Sequence, residues 1–187
     1  YEKFVQLNGR EKPFYIYKKI YLKNYEKKIN HKFSSSENFL EYSPEGIIYL
    51  RNLAKIIDKN DGGILIIDYG YFNKKMKNTV QAISNKKFSN ILENIGNSDI
   101  TYNINFHLFR EIVKKTKKLD VIFTTQKKFL IKMGIEKRAE IISKNKPFSK
   151  KIDIFYRLKR LTGENEMGNL FKVMLIKKQK NKFNIGF

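Results

Sequence analysis

The sequence has no cysteine and no tryptophan, three prolines, and two histidines, His31 and His107. Without cysteine neither a disulfide nor a thiolate metal site can form, and two histidines are too few for a histidine-based one, so no metal is expected. No apolar run long enough to cross a bilayer and no signal peptide is seen, so no membrane insertion is expected and a soluble intracellular protein is the default. Arginine is scarce as well. Arg10, Arg51, Arg110, Arg138, Arg157 and Arg160 are the whole set, and every other basic residue is lysine.

What is present is charge and aromatic bulk. The 187 residues carry a formal net charge of +21, with 41% hydrophobic and 14% aromatic side chains. That length supports one domain with a real core, and the apolar content argues against disorder. A field of this sign attracts phosphates, so a nucleic-acid or acidic-protein binding module is one reading. Dedicated phosphate and base readers lean on the planar fork of arginine, however. The lysines are spread along the chain, and lysine, isoleucine and asparagine are abundant together, as an AT-rich genome produces. Composition therefore accounts for the charge ahead of nucleic acid. The chain opens on Tyr1 in what reads as mid-domain strand, as a piece of a longer protein would.

The chain is organised around Asp61–Tyr71, Asp-Gly-Gly-Ile-Leu-Ile-Ile-Asp-Tyr-Gly-Tyr. Gly62 and Gly63 suit a helix C-terminus. Ile64 to Ile67 is short, apolar and rich in β-branched residues, which predicts a strand covered on both faces, as in a parallel sheet. Asp68 stands where that strand should end, and in open α/β sheets ligands gather outside the carboxyl ends of strands. A turn cap is the plainer role for Asp68.

Before this centre, Phe4–Leu7 and Phe14–Leu22 read as two antiparallel strands about an Asn8-Gly9 turn, with one core face and one wetter face. Residues 24–38 are polar, include the Ser34–Ser36 run, and read as a surface loop. Ser43-Pro44-Glu45 opens a helix, with Ile47, Leu50, Leu53, Ala54 and Ile57 on one face as far as about Asp58. After the centre, residues 74–103 have weak periodicity, with Thr79–Ile83 open between strand and turn and 94–99 a loop. A helix from Phe106 to about Lys118 follows, with Asn105 as its cap. Val121–Thr125 is a second strand. Phe129–Lys132 and Arg138–Ser143 are short helices broken at Gly134, and Lys151–Leu161 is another. Leu170–Ile176 is a third strand, and the tail from Lys177 is polar and reads as frayed. No glycine-rich phosphate loop, Gly-x-Ser-x-Gly or His-Glu-x-x-His occurs.

The order of segments resembles the MidA family of S-adenosylmethionine-dependent methyltransferases, whose mitochondrial members are complex I assembly factors. Gly62–Gly70 is similar to that family's Gly-Gly-Ala-Leu-Leu-Ile-Asp-Tyr-Gly strand. Asn78-Thr79-Val80-Gln81-Ala82 resembles its Asp-Thr-Leu-Gln-Ala, and Asp99–Phe106 its Asp-Leu-Thr-Ala-x-Val-Asp-Phe. Thr125-Gln126, Phe129-Leu130 and Met133–Ala139 follow in order, and Met167–Val173 resembles its closing Met-Gly-x-Leu-Phe-Lys-Val. The match runs from about Ser43 to Ile176.

The resemblance implies an α/β fold: the carboxyl portion of a class I methyltransferase (Rossmann-like) sheet with its last strand antiparallel, plus an N-terminal β-hairpin insertion. Residues 1–42 would be the hairpin and loop insertion, 43–178 the helix and strand core, and 179–187 the polar tail of a single domain. Ile64–Ile67 would be the fifth strand, Val121–Thr125 the sixth and Leu170–Ile176 the seventh. The cofactor would be S-adenosylmethionine in the full-length protein, held by a glycine-rich loop upstream of Tyr1. Members methylate a protein, and the mitochondrial ones an arginine of a complex I subunit. The compartment would be the cytoplasm in a bacterium or the mitochondrial matrix in a eukaryote, and homodimerisation stays open. Asn78 and Asn105 stand where the family pattern has acids.

Methyl transfer to a guanidinium needs the nitrogen aligned and a carboxylate to hold the cation and help it lose a proton. Asp68 and Asp99 are the carboxylates in matched motifs and the catalytic candidates, with Glu41 a third. Tyr69, Gln81, Thr101 and Gln126 are the substrate-binding candidates. His107, at a helix start, reads as solvated.

Overall fold

The structure, a computed structural model, describes residues 1–35 and 37–187; Ser36, in the serine run, lies outside the described residues. In chain order the elements are β1 (Glu2–Leu7), β2 (Pro13–Lys18), α1 (Leu22–Ile29), α2 (Pro44–Lys59), β3 (Gly63–Tyr71), β4 (Gln81–Ser84), β5 (Lys87–Ser89), β6 (Asp99–Thr101) and β7 (Ile104–Asn105). They continue as α3 (Phe106–Val113), β8 (Leu119–Thr125), α4 (Gln126–Lys132), α5 (Ile135–Ser143), α6 (Phe148–Thr162), α7 (Met167–Leu170) and β9 (Phe171–Lys178). They fall into two compact units, Tyr1–Pro44 with Lys75–Tyr102, and Glu45–Lys74 with Asn103–Phe187.

In the first unit β1 and β2 pair antiparallel from Glu2↔Lys18 to Leu7↔Pro13. The Asn8 carboxamide oxygen accepts from the Arg10 and Lys12 amides and closes the turn. The expected alternation on β2 is not clean: Tyr15 and Ile16 are both half-buried, Phe14 and Tyr17 both exposed. The second strand was expected to reach Leu22 and give way to loop. It ends at Lys18, and Leu22–Ile29 is helical. The reason is a buried anchor, fully enclosed Ile29, behind a lysine-rich surface, with Asn30 closing the helix in the left-handed region at φ 45. The irregular stretch expected over 74–103 contains a three-stranded antiparallel sheet of order β5-β4-β6. Its strands are three or four residues long, too short for periodicity to show.

The second unit holds the larger core. Helix α2 turns Ile47, Leu50, Ala54 and Ile57 inward as its spacing predicts, and ends before Asp61 and Gly62, both at positive φ. The sheet order is β7-β3-β9-β8. Strand β9 runs antiparallel to β3 over Gly63–Tyr69 and antiparallel to β8 over Leu119–Thr125. The last strand is therefore inserted between two strands that run parallel to one another. Val173, Met174 and Ile176 on β9 are fully buried, so its two faces are both covered. That is the environment expected for Ile64–Ile67, and β3 departs from it. Ile64 and Ile66 are half-buried, whereas Leu65 and Ile67 are 49% and 43% exposed. Strand β3 has a single long partner. Among the described residues its other edge pairs only at Gly70↔Ile104 and Tyr71↔Asn105, in parallel with β7.

Helix α3 is capped as expected: the Asn105 side-chain oxygen accepts from the Leu108 amide at 3.0 Å. It stops at Val113, a turn before the expected end. Thr125 caps α4, which starts three residues earlier than expected. Gly134 breaks α4 from α5 at φ 80. The tail is not frayed. Gly186 is buried against Phe129, and the Phe187 ring meets the Phe129 ring at 5.4 Å.

Candidate functional site

The carboxyl ends of β3 and β8 meet the start of β9, and there side chains of three strands form rows. Direct partners across a sheet share a face. Asp68 and Thr125 both register with Lys172, which puts Asp68, Lys172 and Thr125 in one row. Tyr69 registers with Phe171 in a second row, and their rings lie 4.0 Å apart. Phe72, just past β3, stacks on Phe123 of β8 at 4.4 Å with a 20° interplanar angle. A cation sits against each of these two rings: the Lys172 ammonium 5.6 Å from the Phe72 centroid and the Arg110 guanidinium 5.2 Å from that of Phe123.

Asp68 is exposed, and one carboxylate oxygen accepts from the Tyr69 amide at 2.7 Å. Lys172, like Thr125, is half-buried. Burial depresses its pKa below the ordinary lysine value, and its ammonium donates to the Asn169 carbonyl. Gly70 is explained by packing. A Cβ there would lie 2.6 Å from the Phe106 ring and closer still to the Ile104 carbonyl oxygen.

The other sequence candidates are not register partners in this row. Gln126, 7% exposed, donates from its amide to the Leu161 carbonyl at 3.0 Å, tying α4 to the end of α6. Gln81, Asp99 and Thr101 belong to the first unit. Gln81 and Thr101 face each other across β4 and β6, the Gln81 amide donating to the Thr101 hydroxyl at 3.2 Å. Asp99 opens β6 opposite Ile83 and is exposed. Glu41, in the same unit, accepts from the Thr79 amide at 3.1 and 3.0 Å and from the Val80 amide at 3.2 Å, with the Thr79 hydroxyl as a further donor. So many donors make Glu41 a clamp on the segment leading into β4, not a free base.

Lys172, Phe72 and Phe123 went unnamed in the sequence reading. Lys172 lay inside a quoted motif, but nothing local marks a lysine as the centre of a cross-strand row. His107 is half-buried, not solvated: desolvation, then the positive charges of Arg110, Lys74 and Lys114, hold its pKa below 6.5 against the opposing pull of Glu111.

A nucleoside cofactor was expected from the resemblance. Glycine is where a backbone can approach a ligand closely. The crowded glycines are filled by protein: Gly70 by Phe106 and Ile104, Gly163 by Lys159 and Glu166, Gly168 by Thr162 and Gly163. Among the described residues no cluster of histidine and acidic side chains could hold a metal ion. No helix among them is long and apolar enough to cross a membrane.

A family model described as "Putative S-adenosyl-L-methionine-dependent methyltransferase" matches residues 4–125. Among curated proteins, the chain is 27% identical over 134 residues to the mitochondrial protein arginine methyltransferase NDUFAF7 of Xenopus tropicalis, covering 71% of this chain and 31% of that one. It is 31% identical over 106 residues to the mitochondrial NDUFAF7 homolog of Caenorhabditis elegans, covering 56% and 24%. The chain thus spans about a third or less of these relatives. Among solved structures, an uncharacterized Burkholderia thailandensis protein superposes with a TM-score of 0.80 at 17% identity, over 99% of this chain and 50% of that one. A protein from the same organism, solved bound to S-adenosyl-homocysteine, gives 0.74 at 17% identity, over 99% and 49%.

Proposed function

The chain belongs to the family of S-adenosyl-L-methionine-dependent methyltransferases, and from that premise we propose that it is the carboxyl portion of a class I methyltransferase that modifies arginine side chains of a protein. The observation that carries the reading is β9, inserted antiparallel between β3 and β8, with Asp68 exposed at the carboxyl end of β3. That arrangement supports the reading of β3, β9 and β8 as the fifth, seventh and sixth strands of a class I sheet. The β1–β2 hairpin is then an insertion ahead of the fifth strand. Arginine as the acceptor rests on the names of the relatives.

In the proposed enzyme the cofactor supplies the methyl group, and the glycine-rich loop that the family resemblance implies would hold it in the full-length protein. The chain's own contribution is to hold the acceptor. The Asp68 carboxylate pairs with a guanidinium and accepts the proton that its nitrogen gives up on methylation. Tyr69, which with Phe171 lies on the opposite face of the sheet from Asp68, is a separate candidate for substrate contact. Lys172 is turned aside by its bond to the Asn169 carbonyl, which limits its competition for Asp68. Asp99, Gln81 and Thr101 are the first unit's candidates for substrate contact. Gln126 positions α4 through Leu161. A complex I subunit as substrate, homodimerisation, and a mitochondrial matrix or bacterial cytoplasmic address complete the proposal.

The test is methyl transfer by the full-length protein from labelled S-adenosylmethionine to arginine-containing peptides. Label on arginine is expected, and Asp68→Asn should lower kcat/KM by about 100-fold or more with the fold intact. Asp99→Asn run in parallel decides which carboxylate acts. Absence of cofactor binding by the full-length protein would sink the reading, and label on lysine would remove the arginine.

A further inference from the structure

Helix α6 is fifteen residues long and buries none of them. Ile154, Leu158 and Leu161 are half-buried and hold it to its neighbours. On another side it carries a second apolar stripe turned to water: Phe148 at 79% exposure, Ile152 at 54%, Phe155 at 45% and Tyr156 at 67%. At about 100° per residue these four share an arc of roughly 100°. Lys151 and Arg160 fall just beyond its two borders, and Lys159 falls within the arc toward the helix's carboxyl end. From 144 to 160 the chain has seven cations (Lys144, Lys146, Lys150, Lys151, Arg157, Lys159 and Arg160) against the single carboxylate of Asp153. Asp153 is already committed to Arg157, at 3.0 Å.

We propose that α6 is an interfacial helix that docks this protein on an anionic lipid surface, with Phe148, Ile152, Phe155 and Tyr156 entering the headgroup boundary and the flanking lysines and arginines meeting lipid phosphates. An exposed apolar stripe bordered by cations is the pattern of a helix lying in the plane of a bilayer surface. Lysine stems can lie along the boundary while their ammonium groups stay in water, and tyrosine is amphipathic in the same sense. Charge selects the partner. A second copy would set these seven cations against seven more, which repels. An acidic peptide seeks a groove, whereas the side of a single helix is a ridge, and a ridge fits a deformable planar surface. General basicity does not explain the feature, because the lysines occur throughout the chain while these four exposed apolar side chains share one arc of one helix. The proposal goes beyond the methyltransferase reading and does not rest on it.

The test is co-sedimentation of the full-length protein with vesicles of phosphatidylcholine alone, or of phosphatidylcholine with phosphatidylserine or cardiolipin, at low and physiological salt. Binding to the anionic vesicles is expected, falling with salt but persisting at the physiological level. The double variant F148S/Y156S leaves the charge unchanged and should lower the partition by about tenfold or more. F88S/I95S removes two comparably exposed apolar side chains in the first unit and should bind as the parent does. Circular dichroism checks that both variants fold. Equal loss in both variants, parental binding by F148S/Y156S, or no binding to anionic vesicles would each overturn the proposal. Capture of an acidic protein through this face without vesicle binding would overturn it too.

Discussion

Gly70 stands where β3, β7 and α3 crowd together. The sequence presents it as a turn glycine after a candidate catalytic acid. The structure gives it a packing role, since a methyl group would press into the Phe106 ring and the Ile104 carbonyl. Both obstacles are fixed: Phe106 is fully buried, and the carbonyl belongs to a paired strand. Gly70→Ala should therefore lower unfolding free energy by about 1–3 kcal/mol, seen as a lower urea midpoint at unchanged slope. His107 makes the pH prediction at this scale. Its pKa in the folded chain is depressed below 6.5, so above 6.5 it is neutral in both states and the folded form bears no protonation cost. As pH falls through 6.5 toward the folded value, the unfolded chain takes up a proton first and stability declines. Urea midpoints measured across pH 5 to 8 should fall on the acid side, and His107→Gln should remove that part of the slope.

At the scale of elements, legibility followed length and period. Helix α2 showed its buried face as a 3.6-residue repeat and its start as Ser-Pro-Glu, so its bounds were readable to within a residue or so. Strand β9 showed as an apolar run. Helix α1 did not show, because one enclosed isoleucine among lysines makes no pattern. Strands β4 to β6 did not show, because three or four residues complete no period. The exposure of β3 was misread for a different reason. A run of isoleucine and leucine records what a strand is suited to, and burial depends on which neighbours are there to cover it. Asn105 was readable as a cap, and it yields the prediction at this level. Its oxygen satisfies the Leu108 amide while its own amide nitrogen, buried, has no hydrogen-bond partner among the described residues. Asn105→Ala removes an acceptor and an unsatisfied donor together. The cost should lie near 1 kcal/mol, at the middle of the range for cap removal. Asn105→Asp keeps the acceptor beside the helix N-terminus and should cost less, which thermal unfolding of the two variants compares directly.

At the scale of the molecule, the two units differ in how they are held. The second has a central strand covered on both faces, with Val173, Met174 and Ile176 at 0% exposure and β3 and β8 bonded along its two edges. Opening those amides requires breaking the sheet from both sides. The β1–β2 ribbon of the first unit has two strands, each bonded to the other alone in its sheet, with Val5, Leu7 and Tyr17 more than half exposed. A two-stranded ribbon is marginal by itself. Asp68 and Tyr69 were legible as part of a strand, which runs on to Tyr71, but that Gln81, Asp99 and Thr101 belong to the first unit is a property of topology that no local pattern encodes. Amide exchange measures the difference. Protection on Val173–Ile176 should approach the global unfolding free energy, while β1 and β2 should open at a cost lower by about 2 kcal/mol or more. Added salt should raise the β9 value, because a chain of net charge +21 repels itself when folded and screening relieves that repulsion. Equal protection on the ribbon and on β9 would mean that the ribbon is held by contacts beyond its own two strands.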